Sequence, residues 1–282
     1  MNFYQSLTKV MTRKLFQAWC SLWKIRGEIS KRLYFLMVLL SISIPLLSWA
    51  CITYSGWVDS QFLPSPTTVL ARGYTSLQSG ELIADLMASL SRVVWGFLAS
   101  AILSIPLGLI IGAFKSMQGL LEPILGLLRY MPTAAFIPLI ILWIGIDEPA
   151  KIAIIFLGTF FYNVLMIADA VKFIPSDLIK VSYTLGAKEK DIFFDVIFPA
   201  TLPHIIDTLR INIATAWNFV VIAELIAASS GLGYRILMAQ RAYQTDAIFV
   251  GIIVIGLVGL LIDFSFKLLF NLVVPWATDK NH

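Results

Sequence analysis

Charged residues are scarce in this chain, and their scarcity excludes most classes of soluble protein. Asp, Glu, Lys and Arg make up 13% of the 282 residues, whereas they make up roughly a quarter of a soluble domain. Hydrophobic residues account for 59% of the sequence, and its mean hydropathy is +0.84. These values are typical of a protein that lies in a lipid bilayer.

Residues that carry metal or catalytic chemistry are also few. The sequence has two histidines, His204 and His282, and its two cysteines, Cys20 and Cys51, have no metal-binding spacing. It lacks the G-x-x-x-x-G-K-[ST] phosphate loop and the G-x-S-x-G nucleophile motif. We therefore expect no catalytic residue, no metal site and no cofactor in this chain. Its basic residues form no array with aromatic residues, which argues against nucleic-acid binding.

Six apolar runs are long enough to cross the roughly 30 Å hydrocarbon core of a bilayer as helices. They cover residues 33–55, 93–114, 120–145, 149–172, 204–228 and 248–274. Lys and Arg are concentrated at the N-terminus and after the second, fourth and sixth runs, so the positive-inside rule predicts that both termini are cytoplasmic. The sequence thus predicts an all-α integral membrane protein with six transmembrane helices.

The third run contains Pro132 and Pro138, which predict a kink or a break in the helix. Such a break would either line a transport pathway or improve helix packing. We expect a transmembrane domain over residues 33–275, preceded by a segment over 1–32 and followed by a tail over 276–282. Aromatic and basic residues in 8–30 predict a helix on the membrane surface or against the bundle.

The polar segment 176–203 is the most informative part of the sequence. Its charges cannot lie in hydrocarbon, so the segment must project from one face of the membrane. Apolar residues recur at helical spacing on both sides of Gly186, which predicts two short helices bent at this glycine. On the other face, residues 229–247 combine a glycine turn with a short amphipathic helix.

The segment resembles the conserved cytoplasmic loop of ABC-importer permease subunits. In that loop, nine residues separate a glycine from Ile-x-Leu-Pro, and here nine residues separate Gly186 from Val196-x-Phe198-Pro199. The family's Glu-Ala-Ala positions hold Lys-Val-Ser in this chain, at 180–182.

Further motifs are similar to those of the nitrate, sulfonate and taurine branch of these importers. They are Leu-Pro-Ser-Pro at 63–66, Ser-Leu-x-Arg-Val at 89–93, a Leu-Trp to Glu motif at 142–148 and an Ala-Glu to Gly-Leu-Gly-Tyr motif at 223–234. Within the branch, the chain most resembles cyanobacterial nitrate/nitrite permeases, followed by their bicarbonate relatives.

The resemblance implies a type I (MetI-like) ABC importer permease fold with cytoplasmic coupling helices, in a bacterial inner membrane. It implies a non-catalytic homodimer that works with two ABC ATPase subunits, which bind ATP and Mg, and with a periplasmic substrate-binding protein. The substrate would be a small anion, nitrate or nitrite first, with bicarbonate or sulfonate and taurine as alternatives.

The same resemblance implies which residues would couple the permease to the ATPases. Ile192, Phe193 and Val196 would fill a groove on the ATPase surface, with polar neighbours around it. The full set is Gly186, Ala187, Lys188, Asp191, Ile192, Phe193, Val196 and Pro199.

Polar side chains inside the apolar runs are candidates for the anion path, because they are costly there without a partner or a role. A monovalent anion would be bound by cations, amides and hydroxyl groups. The candidates are Arg129, Thr133, Asn163, Arg210, Asn218 and Glu224. Structural alternatives exist for two of them, since Arg129 would pair with Glu122 and Arg210 would extend its charge to the membrane face.

Two other functional classes stay open on the residues alone. A membrane-embedded enzyme for lipid substrates would need clustered acidic or histidine ligands near one membrane face, and none is seen. A self-sufficient secondary transporter would be expected to show repeated halves, which the sequence also lacks.

Overall fold

The computed structural model describes residues 23–24 and 29–278, and each regular element among them is helical. The chain divides into two units, residues 1–66 and 67–282. In the first unit, helix α1 runs over Lys31–Tyr54, and Trp49 Nε1 donates a hydrogen bond to the Pro64 carbonyl oxygen at 3.0 Å. The predicted surface helix over 8–30 lies outside the described residues, apart from Trp23, Lys24, Ile29 and Ser30.

The remaining helices lie in the second unit, except that Pro66, the first residue of α2, is the last residue of the first unit. They are α2 Pro66–Gln78, α3 Glu81–Ala113, α4 Lys115–Tyr130, α5 Ile137–Ile144, α6 Glu148–Lys172, α7 Ser176–Thr184, α8 Glu189–Asp191, α9 Phe198–Ala227, α10 Leu232–Arg241, α11 Thr245–Val273 and α12 Pro275–Thr278. A 3₁₀ turn, Thr133–Phe136, precedes α5, and a π-helical turn, Ile192–Ile197, joins α8 to α9.

Five helices of the described chain are long and apolar enough to cross a membrane. They are α1, α3, α6, α11 and the helix that continues from Glu189 to Ile226. A sixth span results if α4 and residues 133–144 are counted together. The all-helical membrane architecture predicted from the sequence is therefore confirmed.

Helix α3 begins much earlier than the sequence predicted, at Glu81 instead of residue 93. Its first turns contain Asp85, Ser89 and Arg92. These polar residues lower the local hydropathy, so the apolar run begins later than the helix itself. All three side chains are buried, and each is bonded to polar groups of other elements. The helix can therefore continue through them.

The third apolar run is broken, with an angle of 88° between α4 and residues 133–144. Met131 is extended (ψ 124°) because a residue that precedes proline is disfavoured in the helical conformation. Pro138 lies in the first turn of α5, where its missing N–H costs no hydrogen bond. The prolines therefore end one helix and start another.

Helices α3 and α6 form the central contact of the second unit. Small residues recur at every fourth position of α3, at Gly96, Ser100, Ser104, Gly108 and Gly112. A Cβ atom added to Gly108 would lie 2.8 Å from Ile167 Cβ and 2.8 Å from the Val164 carbonyl oxygen. Because lipid provides no hydrophobic force between helices, such close approach is what holds membrane helices together.

Helix α9 packs against the other side of α6, and a buried polar chain ties the three helices together. Asn163 of α6 donates to Ser100 Oγ of α3 at 3.1 Å. Asn212 of α9 donates to Asn163 Oδ1 at 2.7 Å. These three side chains are at most 4% exposed. The chain of amides therefore fixes the register of α3, α6 and α9.

We predict that Gly108→Ala destabilises the bundle by about 1–3 kcal/mol, because the added methyl group has no space between the helices. Gly126→Ala is the matched control, since a Cβ at Gly126 of α4 meets no atom within 4 Å. Thermal unfolding of the detergent-solubilised protein measures both variants. Equal melting temperatures for the two would contradict the close-packed contact.

Candidate functional site

Helix α7 opens the segment 176–203 and ends in a Schellman turn at Gly186. The Gly186 N–H donates to the Tyr183 carbonyl at 3.0 Å, and the Ala187 N–H donates to the Ser182 carbonyl at 3.1 Å. Gly186 has a φ of +86°, and a Cβ atom there would meet no atom within 4 Å. The bend predicted at this position is present, and backbone conformation alone makes it favour glycine.

The second half of the segment is not the separate short helix that the sequence predicted. Helix α8, the π turn and α9 form one continuous helix from Glu189 to Ile226. The Phe198 N–H donates to the carbonyl of Phe193, five residues earlier. Pro199 follows at once and has no N–H of its own, so the α-helical pattern is interrupted there at little cost. The segment is thus joined to a membrane helix.

Of the three residues predicted to fill an ATPase groove, Ile192 is buried in the chain's own core, and Phe193 and Val196 are partly buried against it. Ile192 is 2% exposed and packs in a cluster with Leu109 of α3 and Ile167 of α6. Phe193 and Val196 pack against the same cluster, and the Phe193 ring stacks on Phe114 at 6.1 Å. The helical period defines an apolar face, but here the chain's own core covers it.

Exposed apolar side chains of the segment lie on α7 and also, at Phe194 and Phe198, on the helix that follows. Leu178, Val181 and Leu185 are 49%, 56% and 82% exposed, and their spacing of three and four residues places them on one side of the helix. Lys180 and Asp177 form a solvent-exposed ion pair at 3.0 Å, which contributes little stability. On α7 this stripe is therefore a continuous apolar surface that another protein can reach.

Three other positions predicted for coupling have local roles. The Asp191 carboxylate accepts a hydrogen bond from the Lys188 N–H at 3.0 Å and so caps α8. Ala187 is partly buried against the cluster around Ile192. The Lys188 side chain is exposed. These contacts hold the start of the continuous helix next to the glycine turn.

At the opposite end of α6, Arg92 of α3 is the centre of a buried ion network. Its Nε and Nη2 atoms donate to the two carboxylate oxygens of Glu148 at 2.6 and 2.7 Å. Its Nη1 atom donates to Glu224 Oε1 and to the Ser230 carbonyl, both at 2.7 Å. Arg92 is 3% exposed and Glu224 is completely buried. We call Ser89, Arg92, Glu148, Lys151, Glu224 and Ser230 the Arg92 network.

The network holds the turn between α9 and α10 against α3. The Glu224 carboxylate also accepts hydrogen bonds from Ser89 Oγ at 2.7 Å and from the Gly233 N–H at 2.8 Å. Gly231 has a φ of +114°, and a Cβ atom there would overlap Glu224 and lie 2.6 Å from Arg92 Nη1. The Gly231 N–H donates to Asp85 at 2.9 Å. Four helices are therefore joined at this end.

Lys151 extends the network along α6. Its Nζ atom lies 2.8 Å from Glu148 Oε1, so one carboxylate bridges two cations. The Lys151 side chain is 5% exposed, whereas the Glu148 side chain is 55% exposed. A separate cavity of about 560 Å³ borders Glu148 and Lys151 and extends to Ser229.

Two predicted path residues are enclosed by the chain's own contacts. Asn163 belongs to the amide chain that links α3, α6 and α9, and Glu224 belongs to the Arg92 network. Both side chains are fully buried, so neither lines an opening in this structure.

Two other predicted path residues are cations. Arg210 pairs with Asp263 of α11 at 2.5 Å, and a second carboxylate, Asp207, lies 3.9 Å away. Arg129 lies over the Tyr130 ring at 5.2 Å, and none of the described carboxylates is within ion-pair distance of it.

The last two predicted path residues are neutral. Thr133 is half-buried just after the break in the third run, and Asn218 is exposed on α9.

The predicted pair between Glu122 and Arg129 is wrong. Glu122 binds Lys172 of α6 at 2.8 Å, and Lys172 also binds Asp169 at 3.0 Å. Residues seven apart lie about two turns, or roughly 10 Å, apart along a helix. Lys172, on the neighbouring helix α6, is therefore closer to Glu122 than Arg129 is.

Sequence reasoning did not assign roles to the ionisable residues of the Arg92 network other than Glu224. Arg92 lay just outside the predicted second span, and Glu148 just before the fourth. The available signal was the set of motifs at 89–93, 142–148 and 223–234, each of which contains one charged member of the network. These motifs indicate the family, but no local pattern shows that they meet in space.

A family model settles the class of protein. The model for the binding-protein-dependent transport system inner membrane component matches residues 104–279, which is more than half of the chain. The chain belongs to this family. It is therefore an ABC importer permease subunit, a multi-pass inner-membrane protein and a non-catalytic transport component. Membership implies ATPase and substrate-binding partners, and it excludes the membrane-embedded enzyme.

Curated relatives extend this match over most of the permease. The chain is 42% identical over 225 residues to a probable ABC transporter permease protein of Brucella melitensis, which covers 80% of this chain and 90% of the relative. It is 35% identical to a putative aliphatic sulfonates transport permease protein of Bacillus subtilis, over 88% of this chain and 90% of the relative. A nitrate import permease protein of Synechocystis is 33% identical, over 83% and 88%.

A solved structure gives the fold. A chain from the inward-facing MetNI methionine ABC transporter superimposes with a TM-score of 0.63 at 18% identity, and it covers 70% of this permease and 97% of that chain. At this identity the likeness supports the fold alone, and the fold is the type I permease fold that the sequence predicted.

We predict that Glu224→Gln lowers the free energy of unfolding by about 3–5 kcal/mol, because it removes a buried charge that opposes Arg92. Glu81→Gln is the control, since Glu81 forms a more exposed pair with Arg235 at 3.2 Å and such pairs contribute about 0–1 kcal/mol. Yield and melting temperature of the solubilised permease are the measurements. A normal melting temperature with lost transport per assembled complex would instead assign Glu224 to the path.

Proposed function

We propose that two copies of this permease form the membrane pathway of an ATP-driven importer for a small anion, nitrate or nitrite in the first place. The observation that carries the coupling part of this proposal is the exposed apolar stripe of α7, formed by Leu178, Val181 and Leu185. In water this stripe exposes three large apolar side chains next to one another. Burial against an apolar groove of an ATPase subunit would remove that surface from water.

The distribution of basic residues supports a cytoplasmic location for both termini and for the segment 176–203. The Arg92 network lies at the other end of α6, about 37 Å away along a helix of 25 residues. In this orientation it faces the periplasm, where a substrate-binding protein would deliver the anion.

The geometry of the segment supports a mechanical link between ATPase and pathway. Movement of α7 reaches Glu189 across the short Gly186 turn. From Glu189 a single helix of 38 residues continues to Ile226, which is next to the Arg92 network. A rigid helix transmits displacement along its axis, so closure of the ATPases on ATP would move both ends of α9.

The number of segments supports a homodimer. Each permease chain carries one α7 stripe, whereas two ATPase subunits that close on each other need one contact each. ATP and Mg²⁺ would be bound by those ATPase subunits, and this chain would supply no ligand to them.

The substrate class rests on the relatives and on the polar groups of the third span. Arg129 has no carboxylate partner among the described residues and stands beside the break that precedes Thr133. Together with Asn218, these residues are the candidates that stay free to meet an anion. The relative named for sulfonates is slightly more similar than the one named for nitrate, so sulfonate import is the second candidate and bicarbonate the third.

We predict that Val181→Asp abolishes copurification of the ATPase subunits while the permease keeps its own melting temperature. The substitution places a charge in the centre of an exposed stripe and touches no core contact. Ile192→Ala is the matched contrast, because Ile192 is buried and its truncation should cost the permease itself about 2–5 kcal/mol. Wild-type ATPase recovery with Val181→Asp would show that α7 is not the docking surface.

An uptake assay with the purified complex identifies the substrate. We expect ATP-dependent uptake of nitrate into proteoliposomes that contain the permease, its ATPases and its binding protein. Excess bicarbonate or methanesulfonate should compete weakly if nitrate is the substrate. Stronger competition by methanesulfonate would move the assignment to sulfonates, and uptake without ATP would contradict an ABC importer.

A further inference from the structure

Glu148 differs from the other charged side chains of the Arg92 network in its access to water. Its side chain is 55% exposed, whereas those of Arg92 and Lys151 are 3% and 5% exposed and Glu224 is fully buried. A group that is half exposed can leave its partners without unpacking a helix. The network therefore contains two buried cations covered by one accessible carboxylate.

The contacts of Glu148 have the geometry of a bound oxyanion. Its two oxygens lie 2.6 and 2.7 Å from Nε and Nη2 of Arg92, which is the bidentate arrangement that a guanidinium offers to carboxylates and other oxyanions. Lys151 Nζ adds a third donor at 2.8 Å. The carboxylate thus stands in for a small anion with two oxygens on one side, such as nitrate, bicarbonate or a sulfonate.

Charge balance favours an anion of one charge at this position. Glu224 neutralises Arg92 through the remaining guanidinium nitrogen. Among the described residues, Lys151 has no acidic partner other than Glu148. If Glu148 turns away, the buried groups that remain carry one net positive charge. Asp147 also borders the cavity, but it is exposed at the mouth, where water screens its charge.

The cavity beside Glu148 provides the way in. It has a volume of about 560 Å³, within the usual range of small-molecule sites. Its walls are formed by residues 146–149 and Lys151 on one side and by Ile226, Ala228 and Ser229 on the other. Glu148 is the first residue of α6, so its side chain can turn into this space while the helix stays in place.

We propose that Arg92 and Lys151 form an entry site for a small oxyanion, and that Glu148 occupies this site until the anion displaces its carboxylate. The inference rests on the proposed function for the identity of the ligand as an imported anion. The exchange replaces one carboxylate by one monoanion on the same three donors. It needs no rearrangement of Glu224, so the turn between α9 and α10 stays fixed while the anion enters.

The experiment uses the permease in complex with its ATPases, with Cys20→Ser and Cys51→Ser to remove background thiols and Ser229→Cys as a reporter in the cavity. The rate at which a maleimide modifies the reporter is measured against sodium nitrate, with sodium chloride, whose anion carries no oxygen, holding the ionic strength constant. Sodium bicarbonate and sodium methanesulfonate are titrated in the same way. Ser79→Cys, a serine outside the cavity, is the control reporter.

We expect nitrate or one of the other two oxyanions to slow the modification of Ser229→Cys and to leave Ser79→Cys unaffected. Glu148→Gln should lower the half-protecting concentration roughly three- to tenfold, because the competing charge is gone. Lys151→Gln should raise it by a similar factor, and Lys151→Arg should restore protection. Glu81→Gln, an exposed carboxylate outside the cavity, should change nothing.

Opposite shifts for Glu148→Gln and Lys151→Gln would support the entry site, because a purely structural defect cannot raise affinity for an anion. Shifts in the same direction, or no protection by any of the three oxyanions in either wild type or Glu148→Gln, would overturn it. Glu148→Gln alone decides the matter if Lys151→Gln fails to assemble. ATP-driven uptake by the same complex is read separately, so loss of the entry site and failure of the importer function give different results.

Discussion

The close contact between α3 and α6 is the interaction on which the rest of this permease depends. Small residues at every fourth position of α3 let the two backbones approach, and no hydrophobic force in lipid could replace that contact. At one end it brings Arg92 to Glu148. At the other end it brings Leu109 next to Ile167 and forms the cluster that receives Ile192. Both functional ends of the molecule are therefore consequences of one helix pair.

The Arg92 network shows why charge is kept in a protein that otherwise has so little of it. A buried ion pair gives weak net stability, and well-packed apolar residues of similar volume often serve equally well. The network nevertheless keeps four ionisable groups together and satisfies Glu224 with three donors. An apolar replacement would hold the same turn, but it would offer no donor to an anion.

The segment 176–203 works as part of the bundle and not as an appended loop. Its second half is the beginning of a membrane helix whose apolar face is covered by α3 and α6. Its first half, α7, is connected to that helix by a turn in which Gly186 takes a left-handed conformation at little cost. The segment thus joins α7, through the single turn at Gly186, to the start of a helix of 38 residues. In the proposed importer, this arrangement would pass motion of an ATPase subunit to the membrane helices.

The sequence by itself determined the features that depend on local chemistry. Long apolar runs predict membrane helices, Pro132 ends a helix, and the spacing around Gly186 predicts a turn there. Each of these follows from the properties of a few neighbouring residues. Family resemblance added the class of transporter, and the family match confirmed it.

The tertiary structure alone decided which residues meet. Helical periodicity places Ile192 and Val196 on one face, but it cannot tell whether a partner or the chain's own core covers that face. Periodicity likewise cannot show that Glu122 pairs with Lys172 and not with Arg129. Nor can it show that motifs more than fifty residues apart form one network around Arg92. Such contacts depend on how the helices pack together, and packing is set by the shapes of distant surfaces, which no local pattern of residues encodes.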